Sequence, residues 1–216
     1  VKRASEGDEI EIFDGAGRSA QCRIESISRD LVQCHVLRQT MHPIAAHPIT
    51  LCQAIPKGGN MELIVQKAVE LGVSVIQPLI TDHTIARPES MAKKQAKWQR
   101  IALEACKQCG QNYLPEIKEP LPFSDWIKNA TDYETALIAA LDENAVHLKT
   151  QFLKTPPQGK IALLVGPEGD LSPKEYLSAY DAGFLPISFG NIIMRVETAS
   201  IYGLSILQHE LSAHEV

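Results

Sequence analysis

Between Glu9 and about Gln39, apolar and polar residues alternate in three short runs, EIEIF, AQCRIESIS and LVQCHVL, separated by the turn segments DGAG and SRD. A period of two places every second side chain on one face, so this region predicts a small antiparallel β meander or barrel. QTMHPIAAHPIT follows with two prolines and no period, and reads as a linker ending near Thr50. Beyond it the pattern changes. TLCQAI predicts a strand, NMELIVQKAVELG a helix starting near Asn60 and stopped by Gly72, and VSVIQPLI the next strand. A basic helix is expected from Met91 to about Gln108. ETALIAAL and KIALLVG are continuous apolar runs of strand length, as in a parallel sheet covered on both faces. PISF predicts one more strand, and a nearly uniform apolar helix should run from about Thr198 to His209. The fold class is therefore α/β with a largely parallel sheet, preceded by a β module, and the expected division is residues 1–48 and 49–216.

Composition narrows the class without choosing a function. The chain has 216 residues, of which 44% are hydrophobic, enough for one substantial core or two smaller ones. Its apolar windows are all shorter than a membrane span and no secretory leader opens the chain, so no membrane partner is expected and the cytoplasm is the default location. The first residue is Val1, and some N-terminal sequence is expected to be missing. Five scattered cysteines suit reduced thiols better than a disulfide framework. Cys106 and Cys109 form a CxxC inside a helical pattern with no second ligand pair, so no metal site is expected.

The formal charge of −5 argues against a protein that coats nucleic acid nonspecifically, yet it permits a local basic face. Arg87, Lys93, Lys94, Lys97, Arg100 and Lys107 stand against only Glu89 and Glu104 in one stretch. That concentration is either a solvated helix face or a surface for phosphates.

Two loops carry candidate chemistry. In LLVGPEGDLSPKE a buried strand ends at Val165, Gly166 and Gly169 permit a tight backbone path, and Ser172, Pro173 and Glu175 form a capping box at a helix start. The carboxyl end of a parallel strand is where open α/β sheets place ligands. The pattern is neither a P-loop nor a dinucleotide fingerprint, so either a ligand loop or a well-capped connection remains open. SFGNIIMRVETAS repeats the plan at what reads as an adjacent strand, placing Arg195 and Glu197 in the second loop or at its helix entrance. Their structural alternatives are an internal salt bridge for Arg195 and a favourable N-terminal helix charge for Glu197.

GPEGDLSPKE followed by SFGNIIMRVETA resembles the two segments GPEGGxxxxE and LGxxILRxETA of the RsmE-type ribosomal RNA (uracil-N3) methyltransferases of the SPOUT superfamily. KGGNMELIVQKAVELGV and WQRIALEACKQCGQNYLPEI are similar to further segments of that family, so most of residues 50–210 is covered. The amino-terminal part is similar in layout to its PUA-like barrel. The resemblance implies a trefoil-knotted domain that binds S-adenosylmethionine, acts as a homodimer, and methylates N3 of one uridine of 16S ribosomal RNA, within the small subunit or its precursor. A SPOUT enzyme acting on another RNA and a noncatalytic assembly factor are the alternatives.

By position, the resemblance implies cofactor contacts from Leu141 and Asp142, from Leu164, Val165, Gly166, Pro167, Glu168 and Gly169, and from Phe189, Gly190, Ile192, Ile193 and Met194. Arg195 would either neutralise charge on the uracil carbonyl oxygens or orient a phosphate, and Glu197 would either accept a proton or, as the preferred role, hold Arg195 in place. Arg3, Arg87, Lys93, Lys94, Lys97 and Arg100 would contact the RNA backbone. Asp170 stands where a second glycine is usual, and Gln111 where an arginine is common.

Overall fold

The computed structural model describes residues 4–85 and 91–212. Strands β1 (Glu9–Phe13), β2 (Arg18–Ile27) and β3 (Val32–Met41) form an antiparallel three-stranded sheet in sequential order. The alternation sets its faces: Cys22 and Ile24 are buried, while Arg23 and Glu25 between and beyond them face water. Arg23 lies opposite Glu9 and pairs with it at 2.9 Å. The DGAG turn is tied by Asp14, whose carboxylate accepts from the backbone N–H of Ala16 (2.7 Å) and from Arg18 Nε (2.7 Å). The Arg18 guanidinium, helped by those N–H groups, pulls the Asp14 pKa down to about 2. The last strand runs to Met41, so the expected linker is shorter than its composition suggests, because QTM still pairs with β2.

The remaining strands, β4 (Ile49–Ala54), β5 (Val75–Ile80), β6 (Glu116–Ile117), β7 (Leu121–Pro122), β8 (Thr135–Ala139), β9 (Val146–His147), β10 (Ile161–Val165) and β11 (Leu185–Ser188), form a second sheet. Its order is β6-β5-β4-β10-β8-β11-β9, with β7 also on β5, and its pairings are parallel. Helices α1 (Asn60–Glu70), α2 (Met91–Cys109), α3 (Phe123–Trp126), α4 (Leu148–Lys154), α5 (Pro173–Asp181) and α6 (Val196–Ser212) are its crossovers and covers.

Both faces of the sheet are buried, which is why its strands read as unbroken apolar runs. Along β10, Ile161, Leu163 and Val165 join one core with α1, α2 and α6, while Ala162 and Leu164 join the other with α3 and α5. Met61, Ile64, Val65, Ala68 and Val69 form the buried stripe of α1 at helical spacing. Helix α6 begins at Val196, two residues earlier than its apolar run suggests. Its one buried polar side chain, Ser200, donates to Gln53 Oε1 at 2.5 Å, and Gln53 Nε2 donates to Ala54 O at 2.9 Å. Gly203 lets this helix lie close on the sheet: a Cβ there would come within 2.8 Å of Leu163 Cδ2 and 2.9 Å of Phe189 Cζ.

The β module is fastened to the turn after α2. Gly17 N donates to Asn112 O (3.0 Å), Leu114 N to Gly15 O (2.9 Å) and the Tyr113 hydroxyl to His42 O (3.0 Å). Gln111 lies at this junction, its amide near Gly72.

Candidate functional site

The carboxyl ends of β10, β8 and β11 open into one cleft of about 490 Å³. The two glycine loops do not end adjacent strands as their sequence suggests, because β8 lies between β10 and β11. That order improves the site: β8 adds Ala139, Ala140 and Leu141 between the two loops, and the small alanines leave room. Parallel crossovers deliver all three ends to the same edge of the sheet, the usual ligand position of such sheets.

The first loop leaves β10 at Val165 and is held on both sides. Asp170 adopts φ +62°, the left-handed region in which aspartate is tolerated because its side chain hydrogen-bonds locally. Its Oδ1 accepts from Leu171 N (2.8 Å) and from the Tyr176 hydroxyl (2.7 Å). Burial, together with that carboxylate, pushes the Tyr176 pKa upward. Ser172 and Glu175 complete the expected capping box of α5. The box extends outward, because buried Glu175 also accepts from Asp82 N at 3.0 Å and Ser172 Oγ donates to Asp82 Oδ2 at 2.6 Å.

Most of the residues expected to hold a cofactor line the cleft: Leu141, Val165, Gly166, Pro167, Glu168, Phe189, Gly190, Ile192, Ile193 and Met194. Three do not. Leu164 is fully buried and points into the α3 and α5 core, as strand alternation requires of the residue before Val165. Gly169 backs onto His83, whose Cβ would lie 3.1 Å from an added Cβ. Asp142 turns away to accept from Asn144 N (2.8 Å) and the Tyr180 hydroxyl (2.9 Å). Those two donors hold its carboxyl below the usual range, and burial, with Asp142 beside it, pushes the Tyr180 pKa up to about 12.

Arg195 and Glu197 both line the same cleft, at the entrance of α6. The side chain of Arg195 is exposed and makes no ion pair among the described residues. Glu197 accepts a hydrogen bond from Asn60, whose Nδ2 donates to Oε2 at 3.4 Å, and makes no ion pair with Arg195. A neighbouring hydrogen bond runs from Lys57 N to Glu168 Oε1 at 2.9 Å, so the segment between β4 and α1 touches the first loop while Asn60, at the start of α1, touches the entrance of α6. Asn60, Ser188, Val196 and Ala199 are lining residues that sequence reasoning missed. The contact of Asn60 with Glu197 spans 137 positions, and the position of Asn60 at a helix start was its only local signal.

The basic stretch lies on α2. Lys93, Lys97 and Arg100 follow at helical spacing on one exposed side with Lys94 beside them, while Trp98, Ala102 and Cys106 face the core. Lys97 is already engaged by Glu62 of α1, which removes one cation from the expected surface. Arg3 and Arg87 lie outside the described residues. No helix among the described residues is long and apolar enough to cross a membrane.

Comparison with known proteins agrees with this geometry. A family described as an RNA methyltransferase domain matches residues 43–208, and one described as an RNA methyltransferase PUA domain matches residues 1–37. The ribosomal RNA small subunit methyltransferase E of Synechocystis is 32% identical over 95% of this chain and 67% of its own length. Among solved structures, a putative methyltransferase from Legionella pneumophila in complex with SAM is 33% identical with a TM-score of 0.86, covering 95% of this chain and 84% of that one. The ribosomal RNA small subunit methyltransferase E of Neisseria gonorrhoeae bound to S-adenosyl methionine is 31% identical with a TM-score of 0.84, over the same shares.

Proposed function

The chain belongs to the RNA methyltransferase family, and from that premise we propose that it transfers a methyl group from S-adenosylmethionine to N3 of one uridine in 16S ribosomal RNA. The observation that carries this reading is the cleft itself, in which Arg195 and Glu197 meet two glycine loops at the ends of β10 and β11. Its volume suits a nucleoside-sized ligand. A cation also suits it, because Glu168, Asp170 and Glu197 line the cleft with Arg195 as the one basic lining residue among the described residues. Backbone of Val165 to Glu168 and of Phe189 to Met194, with Leu141, would hold the cofactor; a Cβ on Gly166 would press on Leu171 Cγ at 3.3 Å, so the loop keeps close backbone. When bound, S-adenosylmethionine supplies a methyl group already activated by its sulfonium.

The chain's own residues supply orientation and proton handling. Uracil N3 must lose its proton to become a nucleophile, and the charge then spreads onto O2 and O4. Arg195, exposed and without an ion pair among the described residues, donates to a carbonyl oxygen as that charge develops. Glu197, which lines the cleft and accepts a hydrogen bond from Asn60, accepts the N3 proton. N3 lies on the Watson-Crick edge, so the uridine enters unpaired or flipped out.

Residues 1–48 would grip RNA and residues 49–216 would perform the transfer, with the tie between Gly15 to Gly17 and Asn112 to Leu114 holding the two in register. Exposed Leu141, Ile192 and Ile193 around the cleft would be covered in a homodimer. The substrate is the small subunit or its precursor, in the cytoplasm. Incubating the protein with 16S RNA and with small subunits, followed by nucleoside mass spectrometry, should reveal 3-methyluridine; methylation at another base or on the ribose would overturn this reading.

The α2 surface makes a second expectation. Lys93→Glu with Lys94→Glu should weaken RNA binding and flatten the dependence of log K on log salt by roughly 1.5, as for two lost phosphate contacts. Lys97→Glu should cost less, because Glu62 already neutralises that lysine. Filter binding from about 50 to 200 mM salt measures both slopes, and equal losses from all three changes would refute the assignment.

A further inference from the structure

The geometry points to Asn60 as a positioning residue: its side-chain amide, an uncharged donor, aims the Glu197 carboxylate into the cleft through a hydrogen bond. The inference rests on the proton-accepting role proposed for Glu197. Asn60 is the first residue of α1, and its backbone is fixed by what surrounds it. Met61, Ile64 and Val65 are buried behind it, Glu62 N donates to Gly59 O at 3.0 Å, and Ile55 N donates to Leu79 O at 2.9 Å at the start of the preceding segment. The same segment donates Lys57 N to Glu168 Oε1 at 2.9 Å. Lys57 in the connection and Asn60 at the start of α1 thus hold Glu168 of the first loop and Glu197 at the entrance of α6, and both glutamates line the cleft.

The chemistry of the donor matters more than the strength of one bond. A carboxylate that takes a proton needs a fixed direction and no cationic partner holding it in the ionised form. A lysine or arginine in this place would aim Glu197 equally well but would stabilise its ionised form and make it a weaker base. An amide donates without charge. Asn60 is half-buried, so the bond is partly shielded from water, and the residue itself lines the cleft.

The test uses Asn60→Ala, Asn60→Asp and Asn60→Lys. Asn60→Ala should lower kcat about tenfold, the effect of one lost orienting bond, with the S-adenosylmethionine dissociation constant unchanged by calorimetry. Carbon-13 NMR titration of Glu197, assigned with Glu197→Gln, reads the contact without any RNA. The midpoint should rise in Asn60→Asp, where a second carboxylate disfavours ionisation, and fall in Asn60→Lys. The acid limb of the kcat profile should move in the same two directions. Midpoints equal to that of the unaltered protein in both variants, with circular dichroism unchanged, would overturn the inference. An unaltered protein that methylates no RNA would instead overturn the proposed function, while the titration still decides whether Asn60 addresses Glu197.

Discussion

Arg195→Ala should lower kcat for methyl transfer to RNA by about 10²- to 10³-fold, the usual loss when one preorganised donor to a developing oxyanion is removed. Cofactor binding should hold within about threefold, or less than 1 kcal/mol, because the contacts proposed for it come from backbone and Arg195 sits at the exposed rim. Glu197→Gln keeps the shape and the acceptor oxygen but removes the base, and a loss of 10²-fold or more is expected. If the two groups serve one transition state, the double variant should be little worse than either single one. Single-turnover assays with saturating cofactor separate these effects from product release. Full activity in Arg195→Ala with unchanged cofactor affinity would remove Arg195 from the catalytic assignment.

Phe184→Ala should cost about 3–5 kcal/mol and lower the melting temperature by roughly 6–20 °C, at 2–4 °C per kcal/mol for a chain of this size. Phe184 is 2% exposed and lies between Trp126 (ring centroids 5.7 Å apart) and Tyr133 (6.4 Å), both near edge-on. Its truncation would leave a cavity in the core beneath α5, the core that also contains Leu164 and Leu171 at the two ends of the first glycine loop. Cofactor binding should therefore weaken along with stability. Calorimetry with and without S-adenosylmethionine measures both. A melting temperature within about 2 °C of the unaltered protein would mean that the loop does not depend on this core.

The periodicities made the elements legible. The switch from a period of two to alternating apolar runs and helices located the β module and each main strand of the parallel sheet, because a doubly buried strand must be apolar throughout. Strand order was not legible. Nothing local says that β8 inserts between β10 and β11, since that neighbourhood is decided by crossovers closing over long stretches of chain. The same reason hid Asn60. Its partner lies 137 positions away, and asparagine at a helix start is as well explained by local propensity. The two site motifs were legible by resemblance, yet their side chains divide differently from the motif: Leu164 and Gly169 support the loop from behind and Glu197 turns to Asn60 rather than to Arg195. Asp170 in the glycine position became intelligible only from φ +62° and its bonds to Leu171 and Tyr176.

The sheet order also sets a schedule. Strand β4 pairs with β10, more than a hundred residues later in the chain, and β8 acquires its second neighbour only when β11 has been made. A chain emerging from the ribosome can fold the β1 to β3 module early, since its contacts are local, but the floor of the cleft waits for its last strand and for α6. During synthesis this protein would pass from the β module alone to a working transferase in one late step, and the unpaired edges of β4 and β8 would need shielding until then.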